Sequence, residues 1–355
     1  MAINTRALSR SLNSTTTSYK FLFLIGLLEL IKNSNFEKKI FSYKDLGNMM
    51  LAKAWYPKAY FRLSFGKQDQ IGKLIDTLDF PTKLISIEKL FTAIKDTESI
   101  DQAALLRYVP QRILREFFPS ELKGLKDQEI DAAIISLSSE TFLSDSPPIY
   151  KIDFELQEIE MSDEWMSFLK DNFIFLQGWV LGAWGNFLQK NNPNAPGILN
   201  KTTTPESRAS LTKQRLFWSS VASITPIRCI YTNELIDINN FHLDHVLPWS
   251  FVAHNQPWNL IPTSPRINLT KNDSIPDISY IRPTALLHHT GLLTTYQADP
   301  NQSWRNEANQ YLSGLNIGSY EELLNEDLLA ERYIQTYNPL IEIAINSGFS
   351  GPWLA

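Results

Sequence analysis

The chain has 355 residues, enough for two or three modest domains that each bury a core, and its 43% hydrophobic and 20% charged residues are an ordinary globular mixture. A net charge of −5 excludes a protein that coats nucleic acid over its whole surface, so any polynucleotide contact has to be local. The single cysteine, Cys229, excludes an internal disulfide framework and a cysteine-cluster zinc site, and it fits a reducing compartment.

In chain order, the first feature is "FLFLIGLLELI", residues 21–31, preceded by Arg6, Arg10 and Lys20 as a signal peptide would be. The run is only half a membrane span, contains Glu29 and leads into "KNSNFEKK" without a small-residue cleavage site. It reads as a buried helix over 18–32 with Ser18 as its cap, which predicts no membrane contact and a cytoplasmic protein. Residues 44–65 read as an aromatic-rich helix broken at Pro57. Stretches 68–79, 84–96, 100–108 and 110–118 read as shorter helices set apart by Pro81 and Pro110.

"SDSPPIY", residues 144–150, is a turn or linker. Residues 162–190 form a long apolar-periodic run with Ser162 as N-cap and Glu164 in the first turn, where a carboxylate meets the positive end of the helix dipole. Trp165, Trp179 and Trp184 recur there at helix-like spacing and are predicted to be core. "NNPNAPGILNKTTTPES", residues 191–207, is the strongest composition break and marks the main domain boundary.

After that break, residues 208–218 read as a basic amphipathic helix, followed by the strand-like "IRCIYT" and "FHLDHV". "WNLIPT", residues 258–263, is a second short strand carrying Asn259. Residues 264–273 predict a helix with Ser264 as N-cap and Pro265 at the first helical position, ending before Pro276. That helix sets Asn268 and Lys271 three residues apart, on one face. Helix-like text resumes beyond residue 284.

The order is therefore a strand with Asp244-His245, a loop, a strand with Asn259, and a helix with Asn268 and Lys271. If the strands pair and the helix crosses them, Asp244, His245 and Asn268 converge. These residue types suit phosphodiester hydrolysis. A neutral imidazole, His245, serves as general base near neutral pH. The Asp244 carboxylate and the Asn268 amide oxygen are hard ligands for Mg²⁺ or Mn²⁺, which would stabilise charge on the phosphorus and the leaving oxygen. Asn259 is cast as a brace bonding backbone across the loop 248–258, and Lys271 as a point charge on a phosphate. His242 shares the Asp244 face by strand alternation and is expected to border the site, while His254, His288 and His289 are assigned no chemistry. Arg208, Lys213, Arg215, Arg228, Arg266 and Arg282 either form a local basic rim for phosphates or are scattered solvated charge.

The set Asp244, His245, Pro248, Asn259, Asn268 and Lys271 resembles an HNH endonuclease with the ββα-metal fold. "DHVLPWSF" and "NLTKNDSIP" are similar to segments in the HNH domain of RNA-guided CRISPR effector nucleases. "CIYTNELI", residues 229–236, resembles the hairpin that opens such domains. More loosely, "SYKFLFLIGLLEL" and the 192–208 region resemble standalone bacterial HNH proteins linked to defence against foreign DNA. The resemblance implies that Asp244 and Asn268 bind the metal and His245 is the base, leaving a 5′-phosphate and a 3′-hydroxyl. Many HNH domains add two Cys-x-x-Cys pairs for zinc; with Cys229 alone, no structural zinc is expected and apolar packing must replace it.

The implied fold class is α+β: a mostly helical chain with a ββα-metal nuclease domain in its C-terminal half. Residues 1–195 would be a helical region recognising a target or partner, 205–290 the nuclease domain, and 291–355 a helical extension packing on it. The implied substrate is DNA, with a partner protein of a defence system as a further implied contact. A single site nicks one strand, so double-strand cleavage calls for a homodimer or two successive events. The rival readings are a nucleic-acid-binding or scaffold subunit with little activity, and an RNase or tRNA-cleaving toxin on the same fold.

Overall fold

The structure is a computed structural model that describes residues 3–78, 80, 85–97, 101–205 and 210–355. Pro81, Arg208 and the leading edges of the helices expected at 84, 100 and 208 lie outside the described residues. The chain divides into two compact units: Met1–Pro193 with Ile198–Pro205, and Asn194–Gly197 with Glu206–Ala355.

The first unit begins with α1 (Thr5–Arg10) and α2 (Tyr19–Asn33). Phe21, Leu22, Phe23, Leu24, Leu27, Leu28 and Ile31 of α2 are all buried, so the helix has no broad polar face and belongs inside a core. Its one acid, Glu29, pairs at 2.8 Å with Lys53 of α3 (Tyr43–Trp55). Ser18 stands at the N-cap position but makes no side-chain cap bond, because its own backbone is already helical. Its N–H donates instead to Asp69 Oδ2 at 2.7 Å, while Asp69 Oδ1 caps α4 (Gln70–Ile75) through Gly72 N. Pro57 does not end the helical path at once: α3 runs on into a single π-type turn, Tyr56–Tyr60.

Four-residue and shorter strands escape any periodicity argument, and the described residues of this unit contain three of them. β1 (Ile40–Ser42), β2 (Tyr150–Asp153) and β3 (Glu158–Met161) form an antiparallel sheet in the order β1-β3-β2. Helices α5 (Ile87–Lys95), α6 (Val109–Leu114) and α7 (Asp127–Glu140) fill the interval, and the described part of 100–108 holds only a 3₁₀ turn, Ala103–Leu106. The 162–190 run is two helices, α8 (Asp163–Asp171) and α9 (Phe173–Asn191), broken at Asn172, with Ser162 Oγ accepting from Trp165 N. Trp165 and Trp184 are buried with their indole N–H groups on the Pro147 and Thr202 carbonyls, whereas Trp179 is half-buried.

The second unit contains α10 (Thr212–Ile224), β4 (His242–His245), α11 (Trp249–Val252), β5 (Leu260–Thr263) and α12 (Pro265–Lys271). It continues through α13 (Ile281–Ala298), α14 (Gln302–Gly314), α15 (Tyr320–Leu323) and α16 (Glu326–Asn346). Helix α13 runs unbroken across residues 290 and 291. Trp218, Leu260, Ile261, Ile267, Leu292, Tyr333 and Tyr337 share one hydrophobic core, so the hairpin and the C-terminal helices bury their apolar surface together. Among the described residues the chain is mostly helical with two small sheets, an α+β arrangement with a hairpin-and-helix element in its C-terminal half. No helix among the described residues is long and apolar enough to cross a membrane.

Candidate active site

β4 and β5 pair antiparallel with His242 opposite Thr263, Asp244 opposite Ile261 and His245 opposite Leu260. Strand alternation sends His242 and Asp244 to one face and His245 to the other. α12 lies across the first face. It starts where expected, at Ser264, whose Oγ accepts from Ile267 N, with Pro265 leading the helix, and it ends at Asn272, whose φ of 47° breaks the helical path. Its two residues three apart then land on the two strand residues two apart. Asn268 Nδ2 is 3.3 Å from His242 Nδ1, and Lys271 Nζ is 3.2 Å from Asp244 Oδ1 and 3.1 Å from Oδ2.

Asp244 is only 3% exposed. The Tyr231 hydroxyl donates to its Oδ2 at 2.7 Å from the opening hairpin, which closes through an Arg228–Leu235 bridge and the bond from Cys229 N to Glu234 O. Burial pushes the Asp244 carboxyl up, and the Lys271 ammonium and the Tyr231 hydroxyl pull it back. Lys271 corrects the expectation of a phosphate-facing charge. Its side chain is fully buried, and besides Asp244 it donates to the His245 carbonyl at 2.8 Å. A carboxylate taken out of water needs a compensating cation, and Lys271 is turned inward to supply it.

His245 faces the loop that follows α11, with Nε2 3.0 Å from Asn255 Oδ1. An amide oxygen only accepts, so a neutral ring that keeps this contact carries its proton on Nε2 and its lone pair on Nδ1. Asn259 is fully buried and closes the other side of the same loop: its Oδ1 accepts from Leu247 N at 2.8 Å and its Nδ2 donates to Leu247 O at 2.9 Å. Tyr337 of α16 donates to the same Oδ1 at 3.0 Å.

The structure thus places Asp244 with Lys271 and Tyr231, Asn268 with His242, and His245 with Asn255, on the two faces of one hairpin. Tyr231, Asn255 and Tyr337 were not singled out in the sequence. Tyr231 lies in the hairpin that was, but nothing local marks its hydroxyl for Asp244. Tyr337 lies 78 residues from its partner, beyond any spacing rule. Of the six cations considered for a rim, three hold the protein's own groups. Arg215 sits 4.7 Å over the Phe241 ring and donates to its carbonyl, Arg228 donates to Asn233 O, and Arg282 pairs with Asp327.

Among the described residues, no group of three His, Cys, Asp or Glu side chains stands together. A Mg²⁺-type ion does not require one, since it is commonly held by one or two carboxylates, with waters and substrate phosphates filling its shell. The Asp244 oxygens retain acceptor capacity beyond their present bonds, and Asn268 adds an amide oxygen. The donor chemistry fits such an ion, with Lys271 as the cation that would share the carboxylate. Cys229 is buried with Sγ 3.2 Å from Thr263 Oγ1.

Residues 229–277 match the HNH endonuclease family, a span that runs from the opening hairpin through β4, β5 and α12. The match supports an HNH endonuclease domain in this part of the chain and carries no mark of the RNA-guided effector type. No curated protein and no solved structure matches the chain.

Proposed function

We propose that the second unit is a metal-dependent endonuclease that hydrolyses phosphodiester bonds in DNA. The observation that carries this reading is the double contact of α12 on β4, Asn268 to His242 and Lys271 to Asp244, inside the segment that matches HNH endonucleases. In the proposed reaction His245 Nδ1 takes a proton from a water, the resulting hydroxide attacks phosphorus, and the 3′ oxygen leaves. Asn255 holds the ring in the tautomer that makes Nδ1 the base, and Asn259 fixes the backbone just beyond His245. Asp244 and Asn268 would hold a Mg²⁺ or Mn²⁺ ion, which when bound supplies Lewis-acid stabilisation of the charge that develops. Lys271 pairs with Asp244, opposing the effect of burial on its carboxyl, and ties it to the His245 carbonyl.

A plasmid-nicking assay with Mg²⁺ or Mn²⁺ against EDTA, run on the wild type and His245→Ala, tests the reading. Nicking should require the metal and vanish in the variant; nicking that survives His245→Ala would sink the assignment. One observation favours a second reading, a nucleic-acid-binding subunit with little turnover: Asp244 is nearly inaccessible and already neutralised. DNA retention on filters with no detectable cleavage under either metal would select it. The first unit is proposed to recognise the target or a partner protein.

A further inference from the structure

The first unit has an open cleft of about 720 Å³ lined by residues 14–17, the start of α2 and parts of the stretch 104–116. Four cationic side chains line it, Lys20, Arg107, Arg112 and Arg115, against one carboxylate, Glu116. In a chain of net charge −5 this is a concentration of one sign in one hollow. The guanidinium carbons of Arg107 and Arg112 lie 5.1 and 5.4 Å from the centre of the same Tyr108 ring, so one aromatic ring gathers two like charges. The Lys20 ammonium is anchored on Ser11 O at 2.8 Å. Burial lowers its pKa, Glu116 opposes that shift, and Arg112 and Arg115 add to it. Cations that repel one another in the free protein are relieved when an anion enters.

The rest of the lining suits the same kind of guest. Thr15, Thr16 and Thr17 of the loop before α2 also line the cleft. α2 starts beside this cleft and contributes Tyr19 and Lys20 to it, while the Ser18 N–H at its N-terminus is already taken by Asp69 Oδ2. Ala104, Leu105 and Val109 supply an apolar wall. The volume falls within the range of small-molecule sites, about 300–1,000 Å³.

We infer that this cleft binds a phosphate-bearing ligand of nucleotide size, with its phosphate among Lys20, Arg112, Arg115 and the threonine loop and its base against the apolar wall. The inference stands apart from the nuclease reading, since none of these residues belongs to the hairpin site. A free nucleotide fits a hollow of this size whole, whereas a polynucleotide would enter only by an end.

Calorimetric titration of the full chain with the nucleoside 5′-monophosphates and ATP, each against its parent nucleoside, tests it. At least one phosphate should bind, at least tenfold more tightly than its nucleoside, and inorganic pyrophosphate should compete with it. Arg112→Ala/Arg115→Ala, both on exposed side chains, should weaken binding at least tenfold while the circular dichroism spectrum is unchanged. Should that variant misfold, the pyrophosphate competition on the wild type still decides. Equal binding of nucleoside and nucleotide, no binding of any phosphate, or binding only of a single-stranded oligonucleotide would each overturn the proposal.

Discussion

The hydroxyl of Tyr337 donates to Asn259 Oδ1 over 3.0 Å, and that same oxygen accepts the Leu247 N–H at 2.8 Å. The two bonds tie α16 to the loop behind His245. They also fix which way the Asn259 amide is turned, because its nitrogen must then face Leu247 O. The C-terminal helices are therefore part of what holds the candidate site, although they lie outside the segment that matches HNH endonucleases.

Tyr337→Phe removes the hydroxyl that Asn259 Oδ1 and the Trp258 carbonyl share and leaves the ring packing in place. It should cost about 1–2 kcal/mol in urea unfolding. If Tyr337 positions the site, turnover in the nicking assay should fall severalfold with KM unchanged. Asn259→Ala leaves the Leu247 N–H and C=O buried without the amide and should cost more, about 2–4 kcal/mol. Equal stability of both variants and the wild type would refute the brace.

Asp244 and Lys271 should show strong coupling in a double-mutant cycle. Lys271→Met alone leaves a buried carboxylate without its cation and should destabilise the fold by about 3–5 kcal/mol. Asp244→Asn/Lys271→Met removes the stranded charge and should recover a good part of that loss. The check is denaturant unfolding of the four proteins; additive losses would mean that the pair is not coupled.

Much of the hairpin and helix was legible in the sequence because each part has a local signature. Ser264 and Pro265 announce a helix start, Pro276 bounds its end, and short β-prone runs flank the loop. The inward turn of Lys271 was not legible, since it depends on Asp244 being buried, and burial is a property of the whole unit. The 3-stranded sheet was invisible for another reason: strands of Ile40–Ser42 length carry no countable alternation. Ser18 shows the limit of cap rules, because the residue type was right and the competing bond to Asp69 lay 51 residues away.

His288 carries a pH dependence. It is fully buried on α13, with Nδ1 3.0 Å from the Tyr311 hydroxyl, and burial lowers its pKa from 6.5 to about 3. Between those values the unfolded chain binds a proton that the folded chain does not, so stability is lost as pH falls through this window. Across the two units from pH 6.5 to 4.5 the group's share is about 2–3 kcal/mol. His288→Gln cannot titrate there. Urea midpoints measured at both pH values should fall less in the variant than in the wild type by that amount, and parallel falls would remove His288 as a cause.

Gly314, the last residue of α14, stands against the indole of Trp258, where a Cβ would overlap the ring nitrogen. Trp258 precedes Asn259, and its carbonyl accepts from both the Tyr333 and the Tyr337 hydroxyls at 3.2 Å. The indole is buried, with the His254 and Tyr337 rings each 5.5 Å from it, so Gly314→Ala should act as an overpacked core, costing about 1–3 kcal/mol. Because the displaced ring belongs to the residue before the brace, nicking should fall as well. Trp258→Phe removes the indole nitrogen, the atom nearest the added Cβ, and narrows the ring. Gly314→Ala should therefore be less damaging in that background than in the wild type, and a loss of the same size in both would show that the glycine is needed for the backbone rather than for the approach of the indole.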